Sequence, residues 1–286
     1  MATSLFFVVG CHQDYSETGK KEAPPTGSIE KLMPPVLAPL EQTIQSRFSP
    51  PSGFRRLPVD SMSFANYLRH LPLKPVGSTV KLFDGRTKTN NHIYEAVVDL
   101  PIGKRDLHQC ADAVMRLRAE YLFQAKKYDS IHFNFTNGFK ADYVHWRSGK
   151  RIIVSGNEVY WKQSAQPSDR SKEFWKYLEM VFSYAGTASL EKEMKPVSIN
   201  TMRIGDVFIQ GGFPGHAVIV VDMAIHETTG EKLFLLAQSY MPAQDIQLLK
   251  NSNHAHLNPW YSTNFETELS TPEWTFKDSD LRRFAD

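Results

Sequence analysis

The chain has 286 residues, 41% of them apolar and 12% aromatic, enough to bury a sizeable core and to exclude wholesale disorder. Its 33 basic and 31 acidic residues leave a formal charge of +2, which argues against a domain that binds by wrapping phosphates, so no nucleic-acid partner is expected. No run approaches the roughly 20 apolar residues that cross a bilayer, and two cysteines, Cys11 and Cys110, exclude a disulfide scaffold and an all-cysteine metal site.

At the start of the chain, Leu5 to Val9 is a short apolar run that ends in Val8-Val9-Gly10-Cys11. This resembles a bacterial lipobox. The resemblance implies a signal segment over 1–10, acylation of Cys11 and a membrane-anchored lipoprotein of the cell envelope, on the periplasmic or outer-membrane side. Several acyl chains anchor a soluble domain stably, at about 0.8 kcal/mol per buried methylene. No Lys or Arg precedes Cys11, whereas a signal peptide normally carries a positive first region. Phe6–Val9 as an ordinary buried strand is therefore the alternative. Residues 12–40 hold five prolines (Pro24, Pro25, Pro34, Pro35 and Pro39), a composition that suits a semi-rigid tether over 11–40 ahead of a folded domain over 41–286.

Ile44 to Leu57 reads as short extended pieces around the turn-forming Pro50-Pro51-Ser52-Gly53. Ser61 to Leu71 is a predicted helix with Ser63 as N-cap and Pro72 as its stop. Val80–Phe83 and Ile93–Leu100 are predicted strands around Asp84-Gly85. The clearest helix covers 107–127: Asp106 is placed to cap it, and Leu107, Cys110, Val114, Leu117, Tyr121 and Ala125 repeat at helical spacing. Arg116, Arg118 and Glu120 read as its solvated face or as local ion pairs. Ile131–Phe135 alternates like a strand, and a hairpin is expected from Arg151–Val154 and Glu158–Trp161. Helices follow over Ser171–Tyr184 and from Ser189. Trp146, Trp161 and Trp175 read as core residues. The chain then turns strand-rich: Asp206–Gln210, His216–Asp222, Lys232–Ala237 and Asp245–Leu249. Residues 251–286 read as a tail packed over the domain. Helices followed by consecutive strands point to an α+β domain with an antiparallel sheet.

Three features carry chemistry. Cys110 lies in the first turns of a helix, where unpaired N–H groups and the dipole favour a thiolate. His216 opens an apolar strand after Gly205-Asp206-Val207-Phe208-Ile209 and the loop 210–215, and a histidine pinned at a strand mouth suits a general base. Gly215 admits a close neighbour. The next strand ends in Ala237-Gln238-Ser239-Tyr240, so Gln238 or Ser239 could orient the imidazole. Cys110 as a small buried hydrophobe and His216 as a structural histidine are the competing readings. His254 and His256 sit in a polar loop without spaced carboxylate or cysteine partners, so no metal is expected, and no cofactor either.

Gly-Asp-Val-Phe-Ile followed by Gly-His-Ala-Val-Ile-Val-Val-Asp resembles the NlpC-type cell-wall endopeptidases and their papain-fold relatives. The order cysteine, histidine, polar residue is the same. Residues 109–121 (Gln-Cys-Ala-Asp-Ala-Val-Met-Arg-Leu-Arg-Ala-Glu-Tyr) and 63–69 (Ser-Phe-Ala-Asn-Tyr-Leu-Arg) also resemble an uncharacterised family of bacterial lipoproteins. The first resemblance implies a papain-like α+β fold and a thiol amidase or endopeptidase acting on peptidoglycan peptides. In that mechanism Cys110 is the nucleophile, His216 is its ion-paired base, Gln238 or Ser239 is the third member, and the Cys110 N–H and the Gln109 side chain form the oxyanion hole. The chain departs from the NlpC pattern in two places. Gln109-Cys110-Ala111-Asp112 replaces Asp-Cys-Ser-Gly, and a glutamine or serine stands where histidine is usual. The interval between Cys110 and His216 implies an insertion around 131–200. The alternative function is a catalytically silent relative that binds wall or envelope components.

Overall fold

The computed structural model describes residues 42–285, Asn157 excepted. Cys11, the expected signal segment and the whole of the expected tether lie outside the described residues. In chain order the elements are α1 (Ile44–Arg47), β1 (Phe54–Arg56), α2 (Phe64–Arg69), β2 (Tyr94–Val97), α3 (Cys110–Gln124), β3 (His132–Asn134), β4 (Lys140–Asp142), α4 (Tyr143–Arg147), β5 (Lys150–Ser155) and β6 (Glu158–Gln163). They continue with α5 (Ser171–Tyr184), α6 (Thr187–Glu193), β7 (Lys195–Pro196), β8 (Val207–Gln210), β9 (His216–His226), β10 (Lys232–Gln238), β11 (Gln247–Leu249), β12 (Tyr261–Ser262), β13 (Glu268–Ser270), β14 (Thr275–Lys277) and β15 (Leu281–Arg283).

The centre is an antiparallel sheet in the order β2-β11-β10-β9-β8-β15-β7, with β1 paired along β9 and β12 along β10. Among the described residues each of these strand pairs is antiparallel. β9 and β10 are both buried almost throughout, which is why they read as apolar runs instead of alternating. Alternation still sorts their side chains into two layers. Ala217, Ile219, Val221, Leu233, Leu235 and Ala237 enter one cluster with Val114 and Leu117 of α3. Val218, Val220, Phe234 and Leu236 enter a second cluster with Phe276, Leu269 and Leu281 of the C-terminal segment. The antiparallel α+β architecture expected from the sequence is therefore present.

Several local expectations need correction. α3 starts three residues later than its periodicity suggests. Its N-cap is Gln109, whose N–H donates to the Asp112 carboxylate at 3.0 Å. Asp106 does not cap it: its Oδ1 accepts from the Ala243 N–H at 2.6 Å and from the Gln109 side chain at 3.1 Å, tying the approach to α3 to the loop after β10. Val80–Phe83 forms no ladder, only bridges from Lys81 to Thr87 and from Leu82 to Gln244. Ile44–Leu57 is not wholly extended, because Thr43 caps one helical turn. Ser63 does cap α2, accepting from the Asn66 N–H at 3.1 Å. The C-terminal segment covers one face of the sheet and also enters it, because β15 lies between β8 and β7.

Arg116 and Glu120 are not solvated. Their side chains are 0% and 1% exposed and paired at 2.8 Å. Arg116 also donates to the Pro101 carbonyl, lies over the Trp175 ring, and approaches His108 Nε2 at 3.3 Å, while the Tyr67 hydroxyl donates to Glu120. A polar network thus runs beneath the first two turns of α3. The stretch between Cys110 and His216 holds the β3–β4 and β5–β6 hairpins and helices α4 to α6. Its aromatic core is built from Phe123, Tyr143, Phe174 and Tyr177.

Candidate functional site

Cys110 is the first residue of α3, and α3 lies across β9 on the layer that includes Ala217. The thiol is accordingly influenced by the backbone N–H of Ala217, the residue after His216, as well as by the N–H groups of Ala111 and Cys110 itself. The helix mouth and the strand mouth therefore meet. Those amides pull the thiol pKa down, as a helix N-terminus should. They do not win. Burial comes first and Asp112 second, and together they push the thiol up to about 11. The lowered pKa expected from helix position alone is thus corrected: Cys110 is 9% exposed, and desolvation of the thiolate outweighs the dipole.

His216 has the strand parity of Val218 and Val220, and its ring faces the C-terminal layer. Tyr240, Trp274 and Phe276 surround it, with ring centroids 4.9, 5.4 and 6.0 Å away. The side chain of Gln238 has the same parity, and its Oε1 lies 2.8 Å from His216 Nε2. Burial, opposed by the Gln238 contact and assisted by the Lys88 charge, lowers the imidazole to about 4. Cys110 and His216 are neighbours through Ala217; among the described residues no hydrogen bond joins sulfur to ring. Burial accordingly favours a neutral thiol at the helix mouth and a neutral imidazole in the C-terminal layer, not the ion pair expected from the sequence.

The other named residues separate clearly. Gln238 reaches the imidazole. Ser239 does not: it points to the opposite layer, where its hydroxyl is 2.8 Å from both the His108 and Gln244 carbonyls. Ser239 thus fastens the segment before α3 to the end of β10. The Gln109 carboxamide is already engaged with Asp106, leaving the helix N–H groups as the free donors at the thiol. Gly215 earns its place by space: a Cβ there would stand 2.5 Å from the Thr187 hydroxyl and 2.7 Å from the Gly212 carbonyl.

Four residues around His216 escaped the sequence reading: Lys88, Glu273, Trp274 and Phe276. Glu273 Oε2 accepts from Gln238 Nε2 at 2.6 Å and pairs with Lys88 Nζ at 2.7 Å. Trp274 is held by a hydrogen bond from its indole N–H to Gln210 Oε1 at 2.9 Å. These side chains come from segments far from His216 in sequence, and no short motif marks them. Tyr240 had a signal, since it follows Gln238 by two residues. Among the described residues no group of histidine, cysteine and carboxylate side chains could hold a metal ion. No helix among them is long and apolar enough to cross a membrane. An apolar cleft of about 130 Å³ lined by Met62, Tyr67, Leu71 and Tyr121 opens between α2 and the C-terminal half of α3, at the other end of that helix from Cys110.

An α+β domain with a helix-borne thiol against a histidine-led strand is the class that fold and site define. The chain belongs to the family described as domain of unknown function (4846), whose model matches residues 44–283 and so spans the whole sheet and both halves of the site. That match carries no activity and makes no link to NlpC-type peptidases. No curated protein and no solved structure matches the chain.

Proposed function

We propose that the domain is a papain-like, NlpC-type thiol hydrolase, an amidase or endopeptidase acting on peptidoglycan peptides. The observation that carries this reading is the meeting of α3 and β9: the Cys110 thiol lies under the Ala217 amide, beside a histidine whose Nε2 is already committed to Gln238. The chain order of nucleophile, base and orienter supports it as well. Because burial favours the neutral pair, His216 works as a general base during attack, not as a preformed imidazolium. Cys110 Sγ bonds to the amide carbonyl carbon as its proton passes to His216 Nδ1. The α3 N–H groups receive the developing oxyanion. Collapse breaks the C–N bond, His216 returns the proton to the leaving amine, and a thioester remains. Water then attacks the thioester with His216 again accepting a proton, and the thiol is released. Both side chains are covered, so substrate must displace Tyr240 and Trp274 and bring Nδ1 to the sulfur.

A thiol-reactive probe tests the pairing. Labelling of Cys110 in wild type should fall sharply in His216→Ala, and wall peptides should be cleaved by wild type but not by Cys110→Ala. Equal, slow labelling of both proteins overturns the reading. One observation favours a second reading, a silent relative that binds envelope components: the imidazole ring lies in the layer opposite to α3, where it packs against three aromatic rings.

We also propose that Cys11 is acylated and holds the domain at the cell envelope through the tether 11–40, the support being the Val8-Val9-Gly10-Cys11 pattern and the proline-rich stretch behind it. Palmitate labelling that disappears in Cys11→Ser is the expected result. An intact N-terminus on protein purified from the cytoplasm would overturn it.

A further inference from the structure

His216, Gln238, Glu273 and Lys88 form one chain of contacts, at 2.8 Å, 2.6 Å and 2.7 Å in that order. Each link has a fixed direction. A carboxylate beside an ammonium only accepts, so the Gln238 atom facing Glu273 must be its NH2 group. The carboxamide is planar and rigid, so its oxygen then faces the imidazole. An oxygen there obliges His216 to carry its proton on Nε2. That leaves Nδ1 with its lone pair and, among the described residues, no hydrogen-bond partner. A glutamine by itself would not decide this, because a flipped amide offers a donor instead and selects the opposite tautomer. The decision comes from the C-terminal segment.

We propose that Glu273 is a positioning residue for His216, acting through the Gln238 carboxamide, and that Lys88 holds Glu273 in place. The proposal rests on the reading of Cys110 and His216 as a reacting pair. Glu273 and Lys88 are nearly covered, with side-chain exposures of 14% and 8%. Lys88 also lies over the Tyr240 ring at 5.1 Å, so the pair is clamped on two sides. A carboxylate reaching the histidine through an amide does the work of a direct carboxylate orienter without placing a negative charge against the ring. It fixes the tautomer and leaves the imidazole weakly basic, which suits a base that takes its proton during attack.

Long-range 1H–15N correlation spectra of the full chain with labelled histidine report which His216 nitrogen is protonated. The expected wild-type result is a proton on Nε2. The double variant Lys88→Met/Glu273→Met removes the ion pair without orphaning either charge. It should show both tautomers, and its Cys110 should label at least about fivefold more slowly with iodoacetamide. Glu273→Gln keeps an acceptor for the Gln238 amide and should restore the wild-type tautomer and labelling to within about twofold. A merely structural role would lower stability without moving the tautomer. An unchanged tautomer and labelling rate in the folded double variant overturns the proposal. So does a proton on Nδ1 in wild type, which decides the matter even where the double variant does not fold. Should Cys110 label independently of His216, the hydrolase reading fails, while the tautomer comparison still decides the role of Glu273.

Discussion

His108 and His216 are each 1% exposed, yet they are spent differently. His108 uses both ring nitrogens: Nδ1 faces the Gln244 carbonyl at 3.2 Å and Nε2 faces Arg116 at 3.3 Å. Burial and the Arg116 charge lower its pKa to about 3. His216 uses only Nε2, and burial with the Lys88 charge lowers it to about 4. Depth and depressed basicity therefore do not tell a joint from a reacting group. The uncommitted lone pair does, together with what stands near it. Around His108 that neighbour is a guanidinium already bound to Glu120; around His216 it is the strand mouth where Cys110 arrives.

The two regions should break differently. Arg116→Met removes the centre of the His108 network and leaves the Glu120 carboxylate buried without its partner. A loss of about 3–5 kcal/mol in urea unfolding is expected, the usual cost of breaking a buried pair from one side. His216→Ala strands one acceptor on Gln238 and should cost only about 1–3 kcal/mol. The reverse order would mean that His216 is the structural joint of the two.

Acid sharpens the same contrast. Both histidines are less basic folded than unfolded, so as pH falls from about 6.5 the unfolded chain takes up protons first. Stability should therefore drop between about pH 6.5 and the folded values near 4 and 3, and it should be fully present above that window. Asp112 runs the other way, because burial raises its carboxyl and the folded state then binds the extra proton. Differences between variants isolate the histidines. His108→Gln should flatten the acid limb more than His216→Gln, since its folded value lies lower. Urea midpoints measured from pH 7 to pH 3 check this, because the two variants separate only below about pH 4, and equal flattening down to pH 3 would erase the distinction.

The thiol supplies a further measure. With Cys110 pushed up to about 11, its alkylation rate should climb about tenfold per unit from pH 7 to pH 9 without a plateau, as the thiolate fraction rises. A plateau already reached at pH 7 would mean that a thiolate–imidazolium pair exists in the resting protein. Stopped-flow or mass-spectrometric labelling at fixed probe concentration separates the two.

What the sequence made legible follows from the range over which each signal acts. Ser63 as a cap, α5 over Ser171–Tyr184 and the β5–β6 hairpin depend on neighbours within a turn or two, and they stand close to where periodicity and turn chemistry put them. Cys110 and His216 were legible because each opens an element, at positions where a side chain has few alternatives. The charge at the site was not legible. Helix position argues for a low thiol pKa, and only the burial of the thiol, with the Asp112 charge beside it, reverses that. Arg116 and Glu120 look like an ordinary exposed i, i+4 pair; their burial follows from Tyr67, Trp175 and His108, which lie on other segments. Glu273 and Lys88 are joined to Gln238 only by the path of the C-terminal segment, about which local pattern is silent.

Gln109 gives the smallest effect and a pointed one. By sequence it stands where an oxyanion donor belongs, directly before the nucleophile. In the fold its Nε2 donates to Asp106, which also receives the Ala243 N–H, so the side chain links the helix mouth to the loop after β10. One of the two N–H donors of that amide is committed to Asp106, which holds the carboxamide there instead of at a developing charge, and Asp106 keeps one partner when the glutamine goes. Gln109→Ala should then cost about 0.5–1 kcal/mol, in the range of a lost helix-end contact. Hydrolysis of a wall peptide should fall by less than about tenfold, whereas removing a true oxyanion donor lowers turnover by about 10²–10³. A loss of that larger size, with stability unchanged, would show that the carboxamide leaves Asp106 when substrate enters, and it would return Gln109 to the role its position in the sequence suggests.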